Sequence, residues 1–431
     1  MIRLIYNLLW PIGLLLFLPS YLAKMFRRGG YRENFGQRLG FYSTEYRQRV
    51  HGKKSTWIHA VSVGEVVIAL KLAEELRARQ PNLNCLLTTT TTTGHALARK
   101  RAPDWMDVLY APLDFWPVMR RAFRVIAPQR IILIEAEVWP NLVAEATRRK
   151  IPIILANARL SPRSERRFRR FKIFVRPIFR RLDLVCVPSS EDGERWKNLG
   201  VTPSRIHPVG NIKYDVSNQP RASAELQRFI ETGIDTTRPI LFGGSTHRGE
   251  EKILTDVFCA LRSEFPNLFL VLAPRHAERA REVQSELRSR SLRSVRRSVA
   301  EQAAQSCDCL LIDTTGELPS WYNVATIVFI GKSLTAHGGQ NPVEAISAGK
   351  PVLFGPHMEN FAGLAKQLIA EGGALCVQNS QELMEQSRHL LRGAAEREKL
   401  ATNALRVVRP HREAAARTAT LIEKISASRS P

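Results

Sequence analysis

Short apolar runs recur along the chain, each followed by polar or capping residues and then by an apolar pattern at helical spacing. The series WIHAVSVGEVVIALKLAEEL, RIILIEAEVWPNLVAEATRRK, IPIILANARLS and LDLVCVPSSEDGERWKNLG repeats this alternation. Such repetition predicts a doubly wound parallel sheet with helices on both faces. In the first unit, Ile58 to Val63 reads as a buried strand, Gly64 turns the backbone sharply, and Glu65 stands at or near the first turn of the following helix. The run Thr88 to Thr93 ends a second strand and lines a turn before the helix GHALARKRA. A polar stretch, Asp215 to Pro239, interrupts the pattern, which resumes with PILFGGS, LFLVLAPRH, CLLIDTTGELPSWYN, TIVFIGKSLTAHGG and KPVLFGP. The expected fold is therefore α/β, with two doubly wound parallel-sheet domains facing a cleft. That cleft is the default ligand site.

Length and charge refine this picture. A chain of 431 residues is long enough for about two cores. Its formal charge of +24 attracts anionic partners: nucleic acid, anionic lipid or phosphorylated substrates. No RNP, zinc-finger or helix-turn-helix pattern accompanies the charge, which argues against nucleic acid as the partner. Six scattered cysteines lack zinc spacing and read as reduced thiols. From Leu4 to Ala23 the chain carries no charged residue, about the length a helix needs to cross a hydrocarbon core. No small-residue cleavage site follows, so the segment is expected to stay as an anchor. Lys24, Arg27, Arg28 and Arg32 come after it against Arg3 alone before it, which places the bulk of the chain in the cytoplasm. Pro11, Gly13 and Pro19 leave a monotopic anchor as the alternative to a spanning one. The expected domains are 1–24 (anchor), 25–215 and 216–431.

Candidate chemistry sits where the strands end. Glu65 is either a proton acceptor at the carboxyl edge of the sheet or a first-turn acid that favours its helix. Glu135 and Glu137 follow the strand Ile131 to Ile134, and both reach the same side as Glu65 only if the chain has already turned; one is expected to be functional and one structural. In the second half, Pro274, Arg275 and His276 end one strand, and Thr315, Gly316 and Glu317 end another. Asn341 reads as an N-cap, Pro342 as the first helical residue before Val343, and Glu344 either as a ribose-binding acid or as the return half of a capping box. IGKS at Ile330 to Ser333 is not a P-loop, because Thr326 occupies the place of the first glycine. Between Arg163 and Arg181, nine cationic residues interleave with Phe168, Phe171, Phe174 and Phe179. This reads as one basic amphipathic helix that either lies on anionic headgroups or turns its aromatics into the core.

The motifs HAVSVGE, EAEVWPN, NARLS, EDGERWKNLG, GNIKYD, GSTHRGEE, APRH, TTGEL and GGQNPVEA, in this order behind an apolar N-terminus and FGQRLGFY, closely resemble bacterial 3-deoxy-D-manno-octulosonic-acid (Kdo) transferases. The resemblance implies a glycosyltransferase B fold and transfer of Kdo from CMP-Kdo to the lipid A precursor (lipid IVA) in lipopolysaccharide core synthesis, at the cytoplasmic face of the inner membrane. By motif, Glu65 matches the general base, and Glu135 and Lys213 match residues that stabilise the transition state. Pro274 with Arg275, Thr315 to Glu317, and Asn341 to Glu344 match the CMP-binding segments. Direct displacement by a hydroxyl inverts the donor's anomeric centre. No DxD pair accompanies these motifs, and neither a metal nor another cofactor is called for. Lys213, near the domain boundary, is expected to reach the reaction centre on closure, and the terminal helical region to cross back onto the first domain. The competing class is a noncatalytic membrane-surface protein that holds anionic lipid through the anchor and the Phe/Arg segment.

Overall fold

The computed structural model describes residues 3–11, 13, 34–217, 223–299 and 307–427. They form two compact units. One comprises the chain up to Asp215 together with the segment from Glu413, and the other is Val216–Arg412. Each contains one seven-stranded sheet, and every strand pairing is parallel.

In the first unit the strands are β1 (Ser55–Ala60), β2 (Cys85–Thr89), β3 (Met106–Tyr110), β4 (Pro128–Ile134), β5 (Ile153–Ala156), β6 (Leu184–Val187) and β7 (Ile206–Pro208). Their order is β3-β2-β1-β4-β5-β6-β7, so the winding reverses between β1 and β4. Alternate residues of each strand feed different cores. Trp57, Leu86, Ile131 and Ile153 pack with Phe123 and Trp196, while Ile58, Leu87, Ile132 and Ile154 pack under the helix Val63–Arg79. A sheet buried on both faces explains why its strands read as continuous apolar runs rather than as alternating ones.

The helix Ala414–Ala427 completes the first unit. Its Ala414, Ala415, Ala419 and Ile422 join the core under Val63–Arg79. Asp215 secures its start, accepting the N–H groups of Glu413 at 3.1 Å and Ala415 at 2.9 Å. The second domain is expected at 216–431 with a C-terminal helix crossing back onto the first; the helix Ala414–Ala427 belongs to the first unit, and the second unit is Val216–Arg412.

The second sheet consists of β8 (Ile240–Thr246), β9 (Phe269–Pro274), β10 (Ser294–Arg296), β11 (Cys309–Leu311), β12 (Ile327–Ile330), β13 (Val352–Phe354) and β14 (Leu375–Cys376). The order β10-β11-β9-β8-β12-β13-β14 puts its reversal between β8 and β12. Open α/β sheets bind ligands at the carboxyl ends of strands at such a reversal, because the loops there diverge to opposite faces.

Two expectations need correction, and a third falls mostly outside the described residues. The strand expected at Ile58 to Val63 is Ser55–Ala60, and the helix begins at Val63, so Gly64 lies inside its first turn rather than in a turn before it. The basic segment is two helices, Pro162–Arg170 and Lys172–Phe179, meeting at Phe171. The break divides the aromatics: Phe168 and Phe179 pack edge to face at 5.3 Å toward the core, whereas Phe171, Ile173 and Phe174 are exposed. At the N-terminus, residues 3–11 form a helix whose Arg3 and Asn7 hydrogen-bond Asn141, leaving Leu4, Ile5, Leu8 and Leu9 exposed. Among the described residues no helix is long and apolar enough to cross a membrane. Most of the anchor expected at 1–24 lies outside them.

Candidate active site

β1 and β4 are neighbours at the first reversal, and Glu65 and Glu135 follow their carboxyl ends. Ser62 caps the helix that carries Glu65. The Ser62 hydroxyl accepts the Glu65 N–H at 3.3 Å and donates to Oε1 at 2.8 Å, and the Val61 N–H donates to Oε2 at 2.9 Å. This is a capping box shifted by one residue, since the carboxylate reaches the N–H before the cap. Glu65 is thus a buried first-turn acid held in one orientation. Each of its oxygens keeps a second lone pair to accept a proton.

At Glu135 the backbone turns abruptly, with φ 59°, and its N–H donates to the Ala156 carbonyl at 3.0 Å. That turn brings Glu137 as well as Glu135 toward Glu65. Burial raises the Glu135 carboxyl, Glu65 raises it further, and Arg159 and Lys213 oppose both effects. Burial, then the charges of Glu65 and Glu135, push Glu137 up to about 7 against opposition from Trp139 and Arg167. Both acids therefore lie in one electrostatic cluster with Glu65.

Lys213 sits on the short turn Ile212–Tyr214, where Asn211 accepts its N–H at 3.0 Å. Burial and Arg159 lower its ammonium, and Glu135 raises it. Lys213 belongs to the same unit as Glu65 and already interacts with Glu135, so no closure is needed to bring the two together. Arg159 and Asn157 join this group without having been singled out in the sequence. Asn157 is buried at the end of β5 with φ 53°; its Oδ1 accepts the Ile212 N–H at 2.9 Å, and its Nδ2 has no partner among the described residues. The only signal was the placement of Asn157 and Arg159 in NARLS, directly after an apolar run.

In the second unit the candidate residues lie on several strand ends. Pro274 is buried as the last residue of β9, and Arg275 is exposed, its N–H donating to the Thr246 carbonyl at 2.9 Å. Thr315 and Gly316 are exposed after β11, Gly316 with φ 86°. Glu317 Oε2 accepts from Thr314 at 2.7 Å and from the Trp321 indole at 3.2 Å, and lies 3.6 Å from Arg297. Asn341 Oδ1 accepts the Val343 N–H at 3.1 Å. The helix is Val343–Ser347, so Pro342 precedes its first regular residue instead of occupying it. With five residues it carries little macrodipole. Glu344, in its first turn, raises the buried Tyr322 hydroxyl, adding to the dominant effect of burial. Tyr322 packs so closely on β8 that a Cβ on Gly244 would lie 2.3 Å from its hydroxyl oxygen.

Glu250 organises the second reversal. Its buried carboxylate accepts four backbone N–H groups: His247 at 2.8 Å and Lys332 at 2.7 Å on Oε2, Ser333 at 2.9 Å and Leu334 at 3.0 Å on Oε1. It thereby ties the turn after β8 to the turn after β12. Gly331 permits the close approach, since a Cβ there would stand 2.3 Å from the Ser245 carbonyl oxygen.

Two parallel doubly wound sheets, each with polar groups at its reversal, define an α/β protein of the glycosyltransferase B type. A solved UDP-N-acetylglucosamine 2-epimerase shares this fold at 15% identity, covering 88% of this chain and 98% of that one with a TM-score of 0.53. Residues 33–216 match the family model for 3-deoxy-D-manno-octulosonic-acid transferase. The chain is 33% identical over 394 residues to the 3-deoxy-D-manno-octulosonic acid transferase of Haemophilus influenzae, covering 91% of both chains. It is 33% identical over 376 residues to that of Bordetella pertussis, covering 85% of this chain and 86% of the relative. The chain belongs to the 3-deoxy-D-manno-octulosonic acid transferase family and is a glycosyltransferase. Transfer requires a sugar donor and an acceptor.

Proposed function

We propose that the protein moves Kdo from CMP-Kdo to a hydroxyl of a lipid A precursor, with inversion, at the cytoplasmic face of the bacterial inner membrane. The observation that carries the chemistry is the grouping of Glu65, Glu135 and Glu137, which follow the neighbouring strands β1 and β4, with Arg159 after β5 and Lys213 after β7. An acceptor hydroxyl is a weak nucleophile; Glu65 removes its proton as the oxygen attacks the anomeric carbon. The bond from that carbon to the CMP phosphate oxygen breaks, and its electron pair leaves with CMP. Lys213, beside Glu135, offsets the charge that develops. Pro274 with Arg275, Thr315 to Glu317, and Asn341 to Glu344 hold the nucleotide.

Membrane attachment is supported by two exposed apolar groups. On the N-terminal helix, Arg3 and Asn7 bond the protein while Leu4 is 67% exposed. Phe171, Ile173 and Phe174 stand exposed among the basic residues of the split helix, Ile173 at 80%. Apolar side chains ringed by cations suit an anionic lipid surface.

The test supplies CMP-Kdo and a lipid A precursor to the folded protein and follows free CMP and the mass of the lipid. Both products are expected together; the absence of both would overturn the reading.

A further inference from the structure

The sequence shows no paired metal-ligand spacing, yet among the described residues the fold assembles one cluster of this kind, in the second unit. His337 lies in the long turn after β12, and His357 and Glu359 lie in the turn after β13. One ligand atom from each lies within 4.8 Å of the other two. The Nδ1 of His337 is 3.0 Å from Glu359 Oε1, the Nδ1 of His357 is 3.6 Å from that same oxygen, and the two rings stand 4.0 Å apart at their centroids. Ligands of a tetrahedral zinc ion, bound at about 2.0–2.1 Å, are separated by roughly 3.3 Å. The cluster is therefore close to binding size, and modest side-chain rotation closes it.

The backbone around it is built to hold these positions. Gly338 donates its N–H to Glu359 Oε2 at 2.6 Å, Asn360 donates to the Gly338 carbonyl at 2.9 Å, and His357 donates to the Ser333 carbonyl at 2.9 Å. Gly338 and Gly339 have φ of 115° and 68°. Cβ atoms on them would meet Asn360 Nδ2 at 2.7 Å and Met358 Sδ at 2.4 Å, so the two turns pack together where only glycine fits. The oxygen of Glu359 that does not face the histidines is already bonded, which orients the other toward them; outer contacts of this kind tune metal ligands elsewhere.

We propose that His337, His357 and Glu359 form a binding site for a borderline divalent transition ion of the Zn²⁺ class. Two imidazoles and one carboxylate favour such ions over Mg²⁺ or Ca²⁺, which take oxygen ligands. Three protein ligands leave a coordination position open to water or to an anionic ligand. The bound ion clamps the turns after β12 and β13 immediately before the segment Gly339 to Glu344. The site is independent of the roles assigned to Glu65 and Lys213.

The test titrates the full chain with Zn²⁺ against a chromophoric chelator. One equivalent should bind, unaffected by a large excess of Mg²⁺. H337A and H357A should each weaken binding at least tenfold, E359Q should also weaken it, and H51A, which alters an exposed histidine of the first unit, should change nothing. Co²⁺ supplies a second readout: its visible ligand-field absorption should appear with the wild-type chain and vanish with the H337A/H357A double variant. Since all three ligands are at least partly exposed, circular dichroism should show the variants folded. Wild-type affinity in the double variant, or no equivalent bound by the wild-type chain, would overturn the proposal.

Discussion

The hydroxyl of Ser62 donates to Oε1 of Glu65 at 2.8 Å while accepting that residue's own N–H at 3.3 Å. The hydroxyl that starts the helix is thus also the one that aims the candidate base. A structural and a catalytic role for Glu65 are compatible because hydrogen bonding uses one lone pair on each oxygen.

Glu65→Gln keeps the side chain's size but removes its basicity. Transfer is expected to fall by about 10²-fold or more. CMP binding, measured by calorimetry, should hold, since the segments proposed to hold the nucleotide lie in the second unit. Turnover at the wild-type rate would remove Glu65 from the role of base. Ser62→Ala, by contrast, should cost about 1 kcal/mol of stability and lower kcat through misorientation of an intact Glu65.

Glu137 provides a pH signature. Its folded value, about 7, stands above its ordinary 4.5, so the folded state holds the proton more tightly than the unfolded chain. The associated stability is fully present below pH 4.5 and is lost as pH rises through about 7. Glu137→Gln should remove that dependence. The stability of the variant relative to wild type should therefore increase between about pH 5 and pH 8, by on the order of 2 kcal/mol. Urea unfolding at the two pH values measures it, and parallel pH profiles for the two proteins would exclude the shift.

Glu250→Gln tests the second reversal. An amide nitrogen cannot accept the backbone N–H groups that one carboxylate oxygen now takes, and two buried donors lose their partner. Destabilisation of about 2–4 kcal/mol is expected in denaturant unfolding of the full chain. A loss below 0.5 kcal/mol, about the size of an ordinary surface change, would show that the four bonds do not organise these turns.

The exposed apolar group on the split basic helix predicts a lipid effect. Replacing Phe171, Ile173 and Phe174 together by serine should reduce partition onto vesicles rich in anionic lipid by at least about tenfold, with little change in thermal stability. Unchanged partition would leave these side chains without a membrane role.

Much of this architecture was legible because parallel strands buried on both faces carry continuous apolar runs, and helix starts carry their caps. Trp57 and Ile58 serve opposite cores although they are adjacent in sequence, which is why β1 shows no alternation. Boundaries were less legible. Phe171 sits within an unbroken basic pattern, and nothing local marks it as the junction of two helices. The pattern after β4 named Glu135 and Glu137 together, but nothing local announces the positive φ at Glu135 that sets their direction.

The sequence by itself determined the alternation of strands and helices, the family motifs and the residue types at each strand end, since these depend on burial and local backbone chemistry. Only the tertiary structure decided which strand ends meet. The reversal between β1 and β4 sets Glu65 beside Glu135 and Glu137, the Ile212–Tyr214 turn adds Lys213, and packed glycine turns bring His337 to His357 and Glu359. Strand order and loop approach arise from packing between distant segments, and no local window of the chain contains them.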